Sequence, residues 1–125
     1  MTVYIVQKPR PRIDRITGKQ SDLDLSSAGH YGRIEYVFDT DDRPSVMPGP
    51  MLEKAKGVLK DFGEGDFLLW AGGDPVAFMI ATGVAGQVNM GKVPFLVWER
   101  QPVPYGQPVP RVRVGSYLPL DVKVW

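Results

Sequence analysis

Gly72-Gly73-Asp74-Pro75 joins an apolar run to the start of a helix. Free backbone N–H groups and the helix dipole at such a turn can hold an anion. Arg43, in the Asp39–Ser45 loop, and Arg100, at the end of a strand, are the cations that would clamp a phosphate or carboxylate there. Gly72, Gly73, Asp74, Arg43 and Arg100 are therefore a candidate anion- or ligand-binding set. The competing reading is structural, because Asp74 as an N-cap takes the same amides for itself. Gly86 to Lys92 has the G-x-x-x-x-G-K spacing of a phosphate loop, but Val93 stands where a magnesium-binding Ser or Thr belongs. It also follows a helix instead of a strand, and reads as a helix end and a turn. Asp39, Asp41 and Asp42 suit a hard cation, yet the loop lacks the turn glycine and closing Glu of a calcium site, which favours a solvated acidic loop. The chain has no Cys and one His, His30. Disulfides, thiolate zinc sites, multi-His centres and a cysteine nucleophile are excluded. No catalytic residue, metal or cofactor is assigned.

Two further segments are candidates for binding. Lys8, Arg10, Arg12, Arg15 and Lys19 face only Asp14 within residues 1–20, whereas residues 21–66 hold ten acids against five bases. The net charge of +1 thus conceals a basic arm, suited to nucleic acid or to an acidic partner. Near the other end, Gln101-Pro-Val-Pro104 recurs as Gln107-Pro-Val-Pro110 around Tyr105-Gly106. Such a stretch prefers the polyproline II conformation. Pro102, Pro104, Tyr105, Pro108, Pro110 and the terminal Trp125 are its candidate protein-binding residues.

These residues need a scaffold, and the apolar periodicity supplies one. Val3–Val6 is a first strand, and Arg33–Phe38 alternates at period two with Ile34, Tyr36 and Phe38 on one face. A helix from Pro50 buries Met51, Ala55, Val58, Leu59 and Phe62, with Gly63 just past its end. Asp66–Ala71 is apolar on both faces, as a central parallel strand is. Asp74 and Pro75 start a second helix running to about Ala85, with Ala77, Ala81 and Ala85 on one face. Val93–Trp98 is the next strand, which Pro94 places near a sheet edge. Arg111–Val114 and Val122–Trp125 form a hairpin or add to a sheet edge, in this chain or in a partner. The expectation is a small three-layer α/β domain: a βαβαβ core with a mainly parallel sheet over residues 33–100, an N-terminal strand and basic arm over 1–32, and a proline-rich and β segment over 101–125. The most apolar stretch, Phe67–Ala85, is interrupted by Gly72–Pro75, so neither half spans a bilayer. No secretory signal is visible, and a cytoplasmic location is expected.

Asp66-Phe-Leu-Leu-Trp-Ala-Gly-Gly-Asp-Pro-Val-Ala-Phe, continuing to Ala81, followed by Gly91-Lys-Val-Pro-Phe-Leu-Val-Trp-Glu-Arg100, resembles small bacteriophage-encoded proteins. In those, an apolar strand enters Gly-Asp-Pro and an Ala-rich helix, then a strand ending near Trp-(Asp/Glu)-Arg. The resemblance implies a phage origin and carries no activity. The expected function is a non-enzymatic accessory module that docks on a host or phage protein, on nucleic acid or within a virion, through its two arms. The alternatives are a nucleotide or small-ligand binder, or a hydrolase, using the Gly72–Asp74 turn, and a virion structural protein whose copies interlock as an oligomer.

Overall fold

The computed structural model describes residues 1–13, 15–18, 20–21, 25–100, 104–108 and 115–124. An interior strand of its main sheet is β1 (Thr2–Gln7), where Val3 to Gln7 are all buried. Val3 and Ile5 enter one core cluster, and Tyr4 and Val6 enter the other, on the opposite face. A strand buried on both sides has no polar face, so its alternation is faint in the sequence. The first strand, read from sequence alongside the basic arm, is thus an interior strand of the sheet, next to the central β5.

Short strands β2 (Arg12–Ile13) and β3 (Gln20–Ser21) pair antiparallel. A 3₁₀ segment (Ser26–Tyr31) leads into β4 (Arg33–Phe38), and α1 (Pro48–Val58) connects to β5 (Phe67–Leu69). Helix α2 (Pro75–Val88) then leads to β6 (Lys92–Arg100), and β7 (Gly115–Lys123) closes the order. The main sheet runs β4-β1-β5-β6-β7. β1 is parallel to β4 and β5, β5 is parallel to β6, and β7 is antiparallel to β6. This is a mixed, mostly parallel sheet with two helices, a small α/β fold.

From β1 the chain steps one way to β4, then reverses to reach β5 and β6. Crossovers of one hand must then lie on opposite faces. Accordingly α1 and α2 share one face, over Tyr4, Val6, Phe38 and Leu68, while Ala28 of the 3₁₀ segment covers Val3, Ile5, Leu69 and Leu96 on the other. Ala77, Ala81 and Ala85 are fully buried, and small side chains let α2 lie close to the sheet. Helix α1 stops earlier than its apolar stripe: Leu59 caps it, and Leu59 and Phe62 pack into the core from the following turn.

Two prolines sit where their missing donors do no harm. The Val124 N–H donates to the Gly91 carbonyl at 2.7 Å. With Val122 opposite Val93, alternation therefore turns the even-numbered β7 donors toward β6 and the odd-numbered ones outward. Pro119 falls on the open edge. Pro94, opposite Asp121, faces β5, whose pairing with β6 begins only at Phe95. The edge position expected for Pro94 is therefore corrected: its strand has neighbours on both sides, and the proline precedes the paired stretch. The C-terminal segment adds to the sheet edge of its own chain, and Gly115-Ser116 opens β7 instead of separating two strands; residues 111–114 and Trp125 lie outside the described residues. No helix among the described residues is long and apolar enough to cross a membrane.

Candidate functional site

The chain reverses direction between β1 and β5, and in open α/β sheets such a point leaves a crevice at the carboxyl ends of the strands. Here that crevice measures about 470 Å³ and is lined by Lys8, Pro9, Arg10, Arg43 and the Ala71–Asp74 turn, with Gln7 at its floor.

Gln7 holds this edge together. It is 3% exposed. Its Nε2 donates to the carbonyls of Asp39 (3.1 Å) and Asp42 (2.9 Å), and its Oε1 accepts the Asp74 N–H at 2.8 Å. One amide thus ties the end of β1 to the loop after β4 and the turn after β5, with every bond directed at backbone. The same residue explains Gly73, which has φ +108°: a β-carbon there would collide with the Gln7 side-chain oxygen. The second glycine of the turn answers to a packing contact.

Asp74 caps α2. Its Oδ1 accepts the Val76 N–H at 3.0 Å and its Oδ2 the Ser45 N–H at 2.9 Å. The hydrogen bonds from Ser45, then that from Val76 and the field of Arg43, hold its carboxyl below the usual carboxylate range. An incoming anion meets this carboxylate before the amides it caps, so what the crevice offers a partner is its cationic rim. The Lys8 ammonium lies 5.7 Å from the Tyr36 ring centroid, a cation–π arrangement. Arg43 makes only long contacts, to the carbonyls of Thr40 (3.5 Å) and Asp42 (3.3 Å). Arg10 stands 3.9 Å from Asp41 with both side chains well exposed, a pair worth little in water.

The acidic loop beside the crevice is bound internally. Lys54 reaches Asp39 at 3.1 Å and Asp42 at 2.5 Å. Burial pushes the Asp42 carboxyl up, but the Lys54 ammonium and the Asp39 N–H outweigh it and leave the group below its ordinary value. Hydrogen bonding to Asp42 moves Lys54 the opposite way, upward. No group of three metal-ligating side chains occurs among the described residues. Gly91 N–H donates to the Gly86 carbonyl at 2.6 Å, so the phosphate-loop spacing is the hydrogen-bonded end of α2. His30 is exposed on the 3₁₀ segment.

Both candidate arms leave the sheet at this same edge. After Gln7 the chain passes through Lys8 and Arg10, which line the crevice, into the β2–β3 ribbon with Arg12 in β2 and Arg15 in the turn after it. Arg15 is exposed, the backbone of Arg12 lies in β2, and Lys19 falls outside the described residues. After Leu96 the β6 strand continues beyond its last β5 partner, still paired with β7 as far as Arg100 opposite Gly115. At a rise of ~3.4 Å per residue this second ribbon stands about 13 Å clear of β5. Its base is stiffened by Trp98 and Tyr117, whose rings meet edge-on at 5.0 Å, and by the Tyr31 hydroxyl donating to the Tyr117 carbonyl at 3.0 Å. Gly115 admits this packing, since a β-carbon there would lie 2.7 Å from the Trp98 ring. Pro104, Tyr105 and Pro108 are exposed beyond it. Pro102 and Pro110 lie outside the described residues, while Arg100 is present as backbone at the end of β6. One strand, β5, separates β1 from β6, so the strand ends from which the two segments depart lie about 10 Å apart.

The structure thus brings Lys8, Arg10 and Arg43 to the Gly72–Asp74 turn. Gln7 was missed by the sequence reading; a lone Gln ending an apolar run is the one signal it left. No curated protein and no solved structure matches the chain. A profile of phage Pam3 gp32-like proteins matches residues 1–110. That match covers most of the sequence, and the chain belongs to the phage Pam3 gp32-like protein family.

Proposed function

We propose that this phage protein is a non-enzymatic docking module that grips an acidic patch on a protein of the phage or its host with two ribbons. The observation that carries the reading is their common origin: the basic ribbon and the proline–aromatic ribbon leave the same carboxyl edge about 10 Å apart, over a crevice with a cationic rim. Arg and Tyr are residue types that dominate binding energy at protein interfaces. A protein surface suits this edge better than a nucleic-acid backbone does. Asp39, Asp41 and Asp42 stand among the bases and would repel a run of phosphates, whereas mixed charge gives register and selectivity against a structured partner. The ligand-site reading of Gly72–Asp74 has less support, because Gln7 accounts for Gly73 and α2 accounts for Asp74.

The test is capture from infected-host lysate on the immobilised full chain, with and without nuclease, followed by affinity measurements on the recovered partner. A protein retained after nuclease treatment, whose binding weakens about tenfold or more with Arg10→Glu and Arg15→Glu and again with Tyr105→Ala, is the expected result. Capture abolished by nuclease transfers the function to nucleic acid, and unchanged affinity in all three variants refutes the two-ribbon grip.

A further inference from the structure

The cations of the crevice differ in how they are held. Its lining carries three bases, Lys8, Arg10 and Arg43, against one acid, Asp74. Both Asp74 oxygens are engaged, by the N–H groups of Val76 and Ser45. Lys8 rests over the Tyr36 ring and Arg10 stands beside Asp41. Arg43 has no carboxylate in ion-pair contact among the described residues. The reason is a competitor. Asp42 precedes Arg43 in the chain, but its carboxylate accepts from the Lys54 ammonium and the Asp39 N–H, and Lys54 also takes Asp39. Arg43 is left with its two long contacts to carbonyls, and both use Nη1. Its Nε and Nη2 groups, which form one edge of the guanidinium, have no acceptor among the described residues.

We propose that this edge of Arg43 seats one carboxylate, an Asp or Glu side chain of the partner protein, in the crevice. The inference rests on the docking reading and names the contact that sets its register. Two parallel N–H donors in one plane match the two oxygens of a carboxylate, a geometry that an ammonium does not offer. The charge of the crevice points the same way. Lys8 and Arg10 add positive field, while the Asp74 charge is offset by the two N–H groups that it accepts from and by the α2 dipole. At about 470 Å³ the crevice lies within the roughly 300–1,000 Å³ of sites that enclose a ligand group. An exposed ion pair is worth little, and a docked partner that closes the crevice excludes the water that weakens it. The α2 N-terminus takes no part, since Asp74 already caps it.

Titration of the full chain with a hexaglutamate peptide, followed by amide NMR shifts, tests this. Saturable shifts centred on Arg43, Gly72 and Gly73 are the expected result, with none from hexaglutamine. Arg43→Lys keeps the charge and removes the fork, and it weakens binding about fivefold or more, as does Arg43→Ala. The Arg43 carbonyl accepts the Val46 and Met47 N–H groups through the backbone, so both variants keep the loop, which their thermal melts check. Lys56→Ala, on the exposed side of α1, leaves the affinity unchanged and separates a seat from general attraction. Shifts that miss the crevice, or an affinity indifferent to Arg43→Lys, overturn the proposal. Inorganic phosphate that moves the same amides at lower concentration than the peptide overturns the choice of a carboxylate. Partner capture that still depends on Arg10, Arg15 and Tyr105 when the Arg43 variants bind normally removes this inference and leaves the docking reading standing.

Discussion

Gln7→Ala removes three hydrogen bonds without touching a charged group. The Asp39 and Asp42 carbonyls and the Asp74 N–H lose their partner together, at sites only partly open to water. At about 1 kcal/mol for each bond, with some water entering from the crevice, the loss is about 2–3 kcal/mol. For a domain of this size that lowers Tm by roughly 10 °C. The value is checked by thermal melts and urea titrations followed by tryptophan fluorescence, since Trp70 adjoins the turn. Gly73→Ala completes the argument. In the wild-type background the new β-carbon strikes the Gln7 oxygen and φ is positive, so the cost is about 3 kcal/mol or more. With Gln7 already Ala the contacts with the amide oxygen and carbon disappear, leaving a 3.3 Å approach to the β-carbon of residue 7 and the backbone strain of about 1–2 kcal/mol. The double-mutant cycle therefore shows a coupling of at least about 1 kcal/mol. A Tm within about 3 °C of wild type for Gln7→Ala, or strict additivity in the cycle, would refute the view that this one amide fastens the edge.

Other expectations rest on single contacts. The Asp42 carboxyl is depressed in the folded state, so its contribution is present above the unfolded value near 3.9 and is lost as pH falls through the folded one. Asp42→Asn should flatten the acid limb of a stability–pH profile measured by urea midpoints, and an unchanged limb would count against the Lys54 clamp. Lys54, raised by the same contacts, contributes below its unfolded value and loses that contribution as pH rises through the folded one. The Thr82 hydroxyl is buried with no hydrogen-bond partner among the described residues, so Thr82→Val should raise stability by about 0.5–1 kcal/mol in the same titrations. Gly115→Val should unseat Trp98 and splay the second ribbon, seen as a red-shifted tryptophan emission and loss of partner binding with little change in the core melt.

Much of the scaffold could be read from residues alone, because its signals are local. Asp74-Pro75 announces a helix, Asp66–Ala71 announces a strand wet on neither side, and Pro50 and Ala55 phase α1. What could not be read is what depends on pairing between distant segments. The strand at Val3–Val6 is visible as β-branched sequence, but its place inside the sheet, between β4 and β5, follows from which neighbours it finds. Pro94 suggested an edge because a missing donor ordinarily needs one; the structure satisfies it by starting the β5 pairing one residue later. At the site, Arg43 could be placed near the Gly72–Asp74 turn from topology, since both follow parallel strands. Gln7 could not, since its role exists only once three chain ends converge, and neither could the shared departure of the two arms.

The second ribbon leaves its final β5 contact before its tip begins, and the first leaves Gln7 just as abruptly. Their described outer residues, Ile13, Arg15 to Gly18 and Pro104 to Pro108, are exposed and join neither core cluster, so they can be rewritten. Tip sequences can be exchanged, lengthened or randomised at small cost to folding, provided that Gln7, Gly73, Trp98 and Gly115 stay in place. The molecule is in that sense a display frame with two adjacent insertion points, and grafting foreign loops there would retarget it while its melting temperature stays nearly constant.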